Sequence, residues 1–473
     1  MDEVRLQKLE AIRKSGTCAY PRQFIKSSVI KELVDNFQEA KVVQTAGRIT
    51  ALRTHGKSLF GDVSDASGKI QFYIKLNAVG QEQFEFFVNN IDIGDIVGLK
   101  GEQFKTRTQE PTIAVAEFTL LSKSLRPLPE KWHGLKDVEI RFRQRYLDLI
   151  ANEKAKEIFI LRSRIASKIR EFLDQRGYLE VETPMLHQLA GGATGNPFKT
   201  HHQALDANLF LRIAPELYLK RLLVGGFDKI YELNRSFRNE GISTRHNPEF
   251  TMLEVYTAYI DCEQVMQLTE ELFKFLAQEL LGKLKLEFQG RTIDLSRWER
   301  ISFQELMEKN FDIHPHEDKS TWVAKIQKKG IKLEHQKLSR TQILNIVADL
   351  IEPEAAQHPV FVTDLYAELC PLAKTKKDNP QLSERFELFI SGLEVANAYS
   401  ELNDPQQQRQ RFSEQLAEKD EQQKIDEDYL QALEYGMPPA GGLGVGIDRL
   451  VMLFTDSASI REVILFPQLK PEK

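Results

Sequence analysis

The sequence has few cysteines, and they are not arranged for disulfide pairing or metal binding. Only three occur among the 473 residues, Cys18, Cys262 and Cys370, and no two of them form a CxxC pair. A disulfide framework or a zinc knuckle requires more cysteines at closer spacing. We therefore expect three separate, reduced thiols.

Long apolar runs are also lacking. No window approaches the roughly 20 consecutive apolar residues that a membrane-spanning helix requires. The first residues, MDEVRLQKLEAIRKSG, carry charges of both signs and lack the apolar centre of a signal peptide. These features predict a cytoplasmic protein with no membrane partner.

Two common phosphate-binding signatures are missing, and the chain has no excess of positive charge. The sequence contains no GxGxxG, and its glycine-rich segment near the C-terminus lacks the GK[ST] ending of a P-loop. The formal net charge is −5, so the composition gives no sign of nucleic-acid binding. Any contact with RNA must come from local patches.

Residues 41–125 have the texture of a small all-β domain. Short runs rich in β-branched and aromatic residues are separated by Gly, Asp, Asn or Ser. Five such strands in about 80 residues predict a small barrel. An OB-fold, which binds oligonucleotides on one face, fits this strand count, and so does another small barrel or a sandwich.

The rest of the chain divides into an arm, a linker and a larger domain. Residues 1–40 read as a helical arm of mixed charge, and 126–145 as a linker, because LRPLPEKWHGL contains two prolines and a glycine. Residues 146–473 form the predicted catalytic domain. A mostly helical insertion is expected at about 262–357, where amphipathic periodicity dominates.

The larger domain reads as α+β with an antiparallel sheet. A long helical stretch from about Val138 to Arg176 should end at Gly177, and YLEVETP should be a strand that stops at Pro184. Several later strand-like runs alternate polar and apolar residues, which favours an antiparallel sheet over a buried parallel one. These runs are LFLRIA, KIYELNRSF, FTMLEVYTAY, FVTDLY, RFELFISGLEVANAY and GLGVGIDRLVML.

The segment ELNRSFRNEGISTRHNPEFTMLEVY concentrates charged residues on what reads as two strands joined by a loop. Alternation along a strand puts Glu254 and Tyr256 on one sheet face, and by the same rule Arg238 and Glu240 share a face. A guanidinium that projects into a cleft suits phosphate, because its planar fork matches phosphate oxygens. The alternative is a ladder of surface ion pairs.

Two further features could act on a phosphate ligand. The glycines of GGLGVGIDRLVML permit close backbone approach, and Arg449 lies where the chain turns into a helix. Glu387 and Glu394 are seven residues apart, so they can converge only across a turn at Ser391 and Gly392. Carboxylates beside phosphates favour Mg²⁺, whereas the alternative is a pair of solvated acidic residues.

Three segments, in this order and spacing, resemble motifs 1, 2 and 3 of the class II aminoacyl-tRNA synthetases: FLDQRGYLEVETPML, the charged segment above and GGLGVGIDRLVML. The run FRNEGISTRHNPEFTMLE is similar to motif 2 of lysyl-tRNA synthetases. The resemblance extends from about Val42 to Pro467, and includes APELYLKRLLVGGFDKIYELNRSFRNEG, GGATGNPFKTHHQALD, RYLDLI and YSELND. It implies an OB-fold anticodon-binding domain followed by an antiparallel sheet flanked by helices. It also implies an ATP-dependent ligase that forms lysyl-adenylate and transfers lysine to the 3′ end of tRNA(Lys).

The resemblance further implies how ATP is bound. Arg238 holds the α-phosphate and the lysine carboxylate, and Arg449 is the second catalytic cation. Glu240 reads the adenine edge, while Phe250 and Arg449 sandwich the adenine ring. The residues that reach the β- and γ-phosphates are Arg245 and His246.

A lysine pocket with carboxylates for both amino groups is also implied. Glu216 and Glu254 hold the α-amino group, and Glu401 and Tyr256 hold the ε-ammonium. The other pocket residues are Gly192, through a backbone carbonyl of its turn, Asn397 and Tyr399. Bacterial members often have GNGF where this chain has residues 396–399 as ANAY, which keeps an aromatic residue.

The resemblance also implies a metal site, a homodimer interface and an RNA-binding surface. Glu387 and Glu394 match ligands of Mg²⁺, and the motif 1 region forms a homodimer interface. In the barrel, Phe60 stacks an anticodon base, and Gln71 and Glu117 bond base edges.

Three rival interpretations are open at this point. Aspartyl- and asparaginyl-tRNA synthetases need a cationic or neutral side-chain pocket, and Glu254 and Glu401 argue against both. Truncated relatives that lysylate a protein lack the barrel, which this chain has. A non-catalytic descendant usually loses Arg238, Glu240 or Arg449, and all three are present.

Overall fold

The computed structural model describes residues 2–129, 135, 137–193, 195–332, 338–351, 353, 356–419 and 425–471. The chain divides into two compact units, Met1–Lys136 and Asp137–Lys473. Within the described ranges, no helix is long and apolar enough to cross a membrane.

The first unit is a five-stranded barrel with short helices. Its elements in chain order are α1 (Glu3–Lys14), α2 (Ile30–Asp35), β1 (Val42–His55), β2 (Ser58–Ser64), β3 (Lys69–Lys75), α3 (Leu76–Val79), α4 (Gln81–Asn90), β4 (Ile96–Lys105) and β5 (Pro111–Ser122). The strands close in the order β1-β2-β3-β5-β4. All neighbouring pairs are antiparallel except β3 and β5. The predicted barrel is confirmed.

The N-terminal segment packs into the barrel rather than standing apart from it. Leu9 and Ile12 of α1 and Ile30 and Leu33 of α2 are buried in the same hydrophobic cluster as the barrel interior. The residues between the two helices are not helical, so the predicted helical arm consists of two helices joined by an irregular stretch.

The second unit contains most of the described helices, a central eight-stranded sheet and two smaller sheets, β12-β13 and β7-β9-β8. Its helices are α5 (Val138–Arg143), α6 (Arg145–Ala151), α7 (Glu153–Asp174), α8 (Glu216–Val224), α9 (Cys262–Leu281), α10 (Phe303–Phe311), α11 (Lys319–Lys328), α12 (Arg340–Leu350), α13 (Pro405–Lys419), α14 (Glu427–Glu434), α15 (Ile447–Thr455) and α16 (Ile460–Val463). Its strands are β6 (Leu179–Glu180), β7 (Leu186–His187), β8 (Lys199–His202), β9 (Ala207–Leu211), β10 (Lys229–Phe237), β11 (Glu249–Ala258), β12 (Lys285–Phe288), β13 (Arg291–Asp294), β14 (Glu299–Ser302), β15 (Val360–Thr363), β16 (Arg385–Ile390), β17 (Leu393–Ser400) and β18 (Ala440–Gly446).

The central sheet has eight strands in the order β14-β15-β16-β17-β18-β11-β10-β6. The six middle strands pair antiparallel, as predicted, and the pairs β14/β15 and β10/β6 at the two ends are parallel. Helices α7, α9 and α15 bury their apolar sides against one face of this sheet. On the opposite face, α8 and α14 pack in a separate hydrophobic cluster with Ile230, Tyr256 and Ala440.

The predicted long helix over 138–176 is wrong in its continuity, because the chain forms three helices there. The breaks fall at Gln144 and Asn152, which have non-helical backbone angles. They accompany the burial of Arg145, whose guanidinium donates to the carbonyls of Arg461, Ile464 and Leu465. The predicted stop is confirmed closely, since α7 ends at Asp174 and Gly177 has φ +77°.

The region predicted as mostly helical, about 262–357, also contains strands. Helices α9 to α12 account for its amphipathic periodicity, but β12, β13 and β14 lie among them. Strand β14 pairs with β15 and so belongs to the central sheet. Strands of four residues give too short a pattern to be separated from loops in the sequence.

Candidate active site

Alternation along the strands divides core residues from cavity residues. On β11, Leu253 and Val255 are buried in the hydrophobic core, whereas Glu254 and Tyr256 line a cavity on the other face. Their predicted common face is confirmed, and the Tyr256 hydroxyl donates to Oε2 of Glu254 at 3.1 Å. Gly442 and Gly444 on the neighbouring strand β18 line the same cavity, as do Glu394, Asn397 and Tyr399 on β17, one strand further in the sheet.

The cavity has a volume of about 400 Å³, which lies in the range of small-molecule sites. Every residue predicted to bind lysine lines it, together with both predicted metal ligands and Arg238. These residues are Gly192, Glu216, Arg238, Glu254, Tyr256, Glu387, Glu394, Asn397, Tyr399 and Glu401. The structure thus brings together side chains that are more than 200 positions apart in the sequence.

Three buried carboxylates, those of Glu216, Glu254 and Glu401, form the polar end of this cavity. The Tyr399 hydroxyl donates to Oε1 of Glu216 at 2.6 Å. Glu401 has no exposed surface, and its Oε1 has no hydrogen-bond partner among the described residues. A side chain at Gly442 would collide with that oxygen. Glycine on β18 therefore preserves the space that Glu401 and a ligand share.

Burial sets the protonation behaviour of this end of the cavity. Burial and the charge of Glu216 raise the pKa of Glu254 to about 8. The pKa of Glu401 also lies well above its usual range because the carboxyl is buried, although Lys220 lowers it. A buried carboxylate is costly without a cation, so this arrangement favours a ligand that carries positive charge.

Lys220 is the residue of this end that sequence reasoning missed. It lies on α8, has no exposed surface, and its Nζ is 2.7 Å from Oε1 of Glu216. The same Nζ contacts Oε2 of Glu401. The helical spacing of Glu216 and Lys220, four residues apart, predicts their contact, but the contact with Glu401 depends on the tertiary fold.

A second, smaller cavity of about 130 Å³ adjoins the first. The two share Arg238, Met252, Glu394, Asn397 and Gly444 in their walls. All six residues predicted to bind ATP line the second cavity: Arg238, Glu240, Arg245, His246, Phe250 and Arg449. The two sets of predicted ligands therefore occupy adjoining spaces that meet at Arg238.

Arg238 is a partly buried cation at this junction. Its guanidinium lies 5.2 Å from the centre of the Phe250 ring, and its Nε is buried without a hydrogen-bond partner in the described chain. Burial lowers the pKa of the guanidinium, and the nearby carboxylates of Glu240 and Glu394 oppose this. A cation with an unused donor suits an anionic ligand such as phosphate or carboxylate.

The predicted reason for the proximity of Arg238 and Glu240 is wrong, although both residues line the cavity. Strand β10 ends at Phe237, so the two residues follow the strand and are not placed by its alternation. Both side chains lie against Gly195, where an added Cβ would be 3.1 Å from Cδ of Arg238 and 3.2 Å from Oε1 of Glu240.

Arg449 projects from the first turn of α15 into the second cavity. It donates to the backbone carbonyl of Glu394 at 2.6 Å and to its Oε2 at 3.1 Å. Its Nη2 lies 3.1 Å from Nε2 of His246. Burial and the charge of Arg449 lower the pKa of His246, so this imidazole is neutral at pH 7.

Asp448 is a further residue that the sequence analysis missed. Its carboxylate holds α15 in place by accepting hydrogen bonds from Arg162 at 2.6 Å and from the Thr251 amide at 2.8 Å.

Glu387 and Glu394 converge as predicted across the turn between β16 and β17. Ser391 and Gly392 both have positive φ, +51° and +78°, which makes the turn tight. Burial and the nearby Glu394 charge raise the pKa of Glu387 to about 6, against the effect of Arg385, which lies 2.6 Å away. Among the described residues, no group of three or more His, Cys, Asp or Glu side chains is arranged to hold a metal ion.

The barrel brings together two of its three predicted base-reading residues. The Phe60 ring on β2 packs against Tyr73 with ring centres 4.6 Å apart and a tilt of 35°. Gln71, two residues from Tyr73 on β3, shares that outer face. The Gln71 amide donates to Glu110 at 3.1 Å. Glu117 instead pairs with Lys100 at 2.8 Å. It lies on β5 five residues beyond Thr112, which is the strand partner of Gln71, so it is apart from the other two residues. Glu110 is therefore the acidic residue beside Gln71 that the sequence reading missed.

Comparison with known families agrees with this architecture. Residues 43–121 match the model of the OB-fold nucleic acid binding domain. Residues 137–470 match the model of the tRNA synthetases class II (D, K and N). Fold and site together thus define a class II tRNA synthetase of the group that handles aspartate, lysine and asparagine.

Similarity to individual proteins narrows this class. The chain is 54% identical to a lysine--tRNA ligase of Carboxydothermus hydrogenoformans, over 99% of this chain and 98% of that protein. It is 52% identical to the enzyme of the same name from Pelotomaculum thermopropionicum, over 99% and 95%. With that from Staphylococcus aureus it shares 48% identity over 99% and 98%. The chain belongs to the lysine--tRNA ligase family.

Proposed function

We propose that this chain activates L-lysine with ATP to form lysyl-adenylate and transfers lysine to the 3′ end of tRNA(Lys). The observation that carries the proposal is the two-ended cavity. One end holds three buried carboxylates, and Arg238 stands between that end and a pocket lined by the predicted ATP ligands. An amino acid with two ammonium groups and one carboxylate complements this order of charges.

The rival substrates of the same class fit the cavity less well. An aspartate side chain would place a fourth carboxylate beside Glu216, Glu254 and Glu401, where like charges and burial both oppose it. An asparagine amide would bring no positive charge to the unpartnered Oε1 of the buried Glu401. Lysine supplies two ammonium groups to this cluster of carboxylates: the α-amino group for Glu216 and Glu254, and the ε-ammonium for Glu401.

In the first step, the lysine carboxylate attacks the α-phosphorus of ATP. A new oxygen–phosphorus bond forms as the bond to the β-phosphate oxygen breaks, which releases pyrophosphate. Arg238 lies where both the carboxylate and the α-phosphate would meet, so it neutralises charge on the two reactants. Catalysis then consists of positioning and electrostatic stabilisation, with no covalent intermediate on the protein.

The nucleotide end is arranged to hold adenine and the outer phosphates. The Phe250 ring and the Arg449 guanidinium face the same cavity and offer a stacking surface and a planar cation. Glu240 is an acceptor for the adenine amino group. Arg245 and His246 contribute a cation and a neutral donor to the β- and γ-phosphates.

Mg²⁺ fits the pair Glu387 and Glu394. The ion is usually bound through one or two carboxylates together with substrate phosphates, and both side chains line the cavity that adjoins the nucleotide end. Burial and the charge of Glu394 both raise the pKa of Glu387, and a shared cation would relieve the repulsion between the two carboxylates. When bound, the ion supplies positive charge to the phosphate oxygens.

In the second step, a hydroxyl of the terminal ribose of tRNA attacks the acyl carbon, and AMP leaves. The barrel would select the tRNA through its anticodon. Phe60 offers a stacking ring, and Gln71 with the neighbouring Glu110 offers donors and acceptors for a base edge. Glu117, being exposed and paired with Lys100, would contact RNA further along β5.

A homodimer through the motif 1 region is part of the proposal. Exposed apolar residues are frequent on this part of the surface: Ile160 (55% exposed), Leu179 (48%), Met185 (37%) and Leu186 (47%). Strand β6, which carries Leu179, is also an edge of the central sheet. Apolar side chains beside an open edge mark a surface suited to association.

Amino-acid-dependent exchange of pyrophosphate into ATP tests the proposed function. The assay is run with each of the twenty amino acids in turn, followed by charging of total tRNA with the amino acid that supports exchange. We expect exchange with lysine and at most traces with aspartate or asparagine. Exchange that is fastest with any other amino acid, or none with lysine, would contradict the proposal.

A further inference from the structure

The buried cation Lys220 lies inside the amino-acid end of the cavity, although no predicted role requires it. Its ammonium contacts two of the three carboxylates there: Glu216 on its own helix, at 2.7 Å, and Glu401 on the strand side of the cavity. It also lies 5.4 Å from the centre of the Tyr399 ring. A fully buried lysine that serves only packing is rare, because its charge must be desolvated.

Charge counting shows what Lys220 does to this end. When substrate lysine is bound and all groups are ionised, Glu216, Glu254 and Glu401 bring three negative charges, and Lys220 brings one positive charge. The remainder of two negative charges equals the two ammonium groups of lysine. Without Lys220 the same space would hold three negative charges, so its carboxyl groups would hold protons more tightly.

Glu401 is one of the two carboxyl groups that contact this cation. Lys220 touches its Oε2, while its Oε1 is buried in the cavity without a partner among the described residues. The groups that face the pair come from four elements: Glu216 on α8, Glu254 and Tyr256 on β11, Tyr399 on β17 and Tyr429 on α14. These neighbours are either carboxyl groups or phenols, so Lys220 supplies the positive charge among them.

We propose that Lys220 is a positioning residue that holds the Glu401 carboxyl in place in the empty pocket and favours its charged form, so that the site is set for the ε-ammonium of lysine before lysine arrives. The inference rests on the proposed function and adds a specificity residue to it. In direction, the neighbouring carboxylates raise the pKa of Lys220 and hold it charged. Lys220 in turn lowers the pKa of Glu401 against the effect of burial.

Removing the cation therefore changes the proton balance of lysine binding. In Lys220→Met, Glu401 loses the cation that opposes the effect of burial on its pKa, so it holds a proton more tightly than in the parent, and an incoming ammonium must displace that proton. Binding of each substrate lysine then releases up to one proton more than in the parent. The lysine KM rises by about tenfold or more at pH 7 and falls about tenfold per pH unit as the pH increases, because a proton competes with the substrate.

The test is calorimetry of lysine binding at pH 7 in buffers of different ionisation enthalpy, together with the pH profile of lysine-dependent exchange. The proteins are the parent, Lys220→Met, the charge-preserving Lys220→Arg, and the control Lys229→Met, which removes an exposed lysine on β10. We expect the extra proton in Lys220→Met alone, with the ATP KM within about twofold of the parent. If the methionine variant does not fold, Lys220→Gln, which keeps hydrogen-bonding capacity, replaces it with the same expectation.

The results separate this inference from the proposed function. A parent that neither binds nor activates lysine would overturn both. A parent that activates lysine, with Lys220 variants that release the same number of protons and show the same pH profile, would overturn the inference alone. Loss of lysine and ATP binding together in Lys220→Met, without the extra proton, would likewise overturn it, since that pattern belongs to a purely structural residue.

Discussion

Single residues at the amino-acid end of the cavity carry an unusual density of buried charge. Glu216, Glu254, Glu401 and Lys220 are each at most 7% exposed, and buried charge is costly unless it is paired. A ligand with two ammonium groups relieves this cost, whereas a ligand with an acidic side chain adds to it. The burial itself therefore contributes to selectivity, beyond the individual contacts.

Arg238 joins the two ends of the cavity, so its removal should abolish adenylate formation. Arg238→Ala should cost about 3 kcal/mol or more of transition-state stabilisation, the usual value of one preorganised charge contact. The measurement is the rate of pyrophosphate exchange. The matched control is Arg235→Ala, because Arg235 lies three residues before Arg238, on β10, but pairs with Glu249 at the surface. Exchange within about fivefold of the parent, less than roughly 1 kcal/mol, would show that Arg238 has another role.

Glu254 gives lysine binding a defined pH dependence. Its pKa is raised from 4.5 to about 8 in the unliganded protein, so at pH 6.5 the carboxyl is mostly protonated. Its charge, which an ammonium needs, appears only as the pH rises through about 8. Lysine affinity should therefore increase between pH 6.5 and 8.5, and Glu254→Gln should flatten this increase. Affinity that falls over this range in the parent would contradict the assignment.

Secondary-structure elements differ in how far the sequence determined them. The pair β10 and β11 and the transition from β18 to α15 were predicted because their alternation and glycine content are strong local signals. The convergence of Glu387 and Glu394 followed from a turn that only Ser391 and Gly392 could provide. In each case the residues that define the element are close in the chain.

The remaining features depend on contacts between distant segments. The division of residues 138–176 into three helices reflects the burial of Arg145 against carbonyls more than 300 residues away. Lys220 meets Glu401, and Gln71 meets Glu110, only after the fold brings their elements together. A single sequence gives no signal for such pairs, because neither partner is distinctive in its local pattern.

A separate prediction concerns the outer face of the barrel, where Phe60 lies. Phe60→Ala should weaken tRNA binding by about 1–3 kcal/mol, the usual contribution of one stacked base. Lysine-dependent exchange, which needs no tRNA, should be unchanged. The measurements are the tRNA KM in charging and the rate of exchange, with Phe37→Ala, a ring under Lys105, as control. An unchanged tRNA KM in Phe60→Ala would remove this ring from the RNA surface.

The whole molecule is expected to associate in pairs through the motif 1 surface. The parent should sediment at twice the chain mass, and Leu179→Glu combined with Leu186→Glu should shift it toward the monomer, because two charges would be buried in the interface. Leu350→Glu, which changes an equally exposed leucine on α12 (46%), should leave the parent mass unchanged. A parent that is monomeric throughout would refute the dimer, and a double variant that stays dimeric would move the interface elsewhere.

The central claim is that the cavity selects an ammonium at one end and binds ATP independently at the other. Glu401→Gln tests it most directly, since it removes the side-chain anion while keeping its shape. Titration of pyrophosphate exchange with lysine, with its neutral analogue 6-hydroxynorleucine and with ATP gives all three affinities. We predict that the affinity for lysine falls by about a hundredfold or more, as when one partner of a buried ion pair is lost. The analogue should change far less, and ATP should hardly change. Equal losses for lysine and ATP, or undiminished discrimination between lysine and the analogue, would contradict the account.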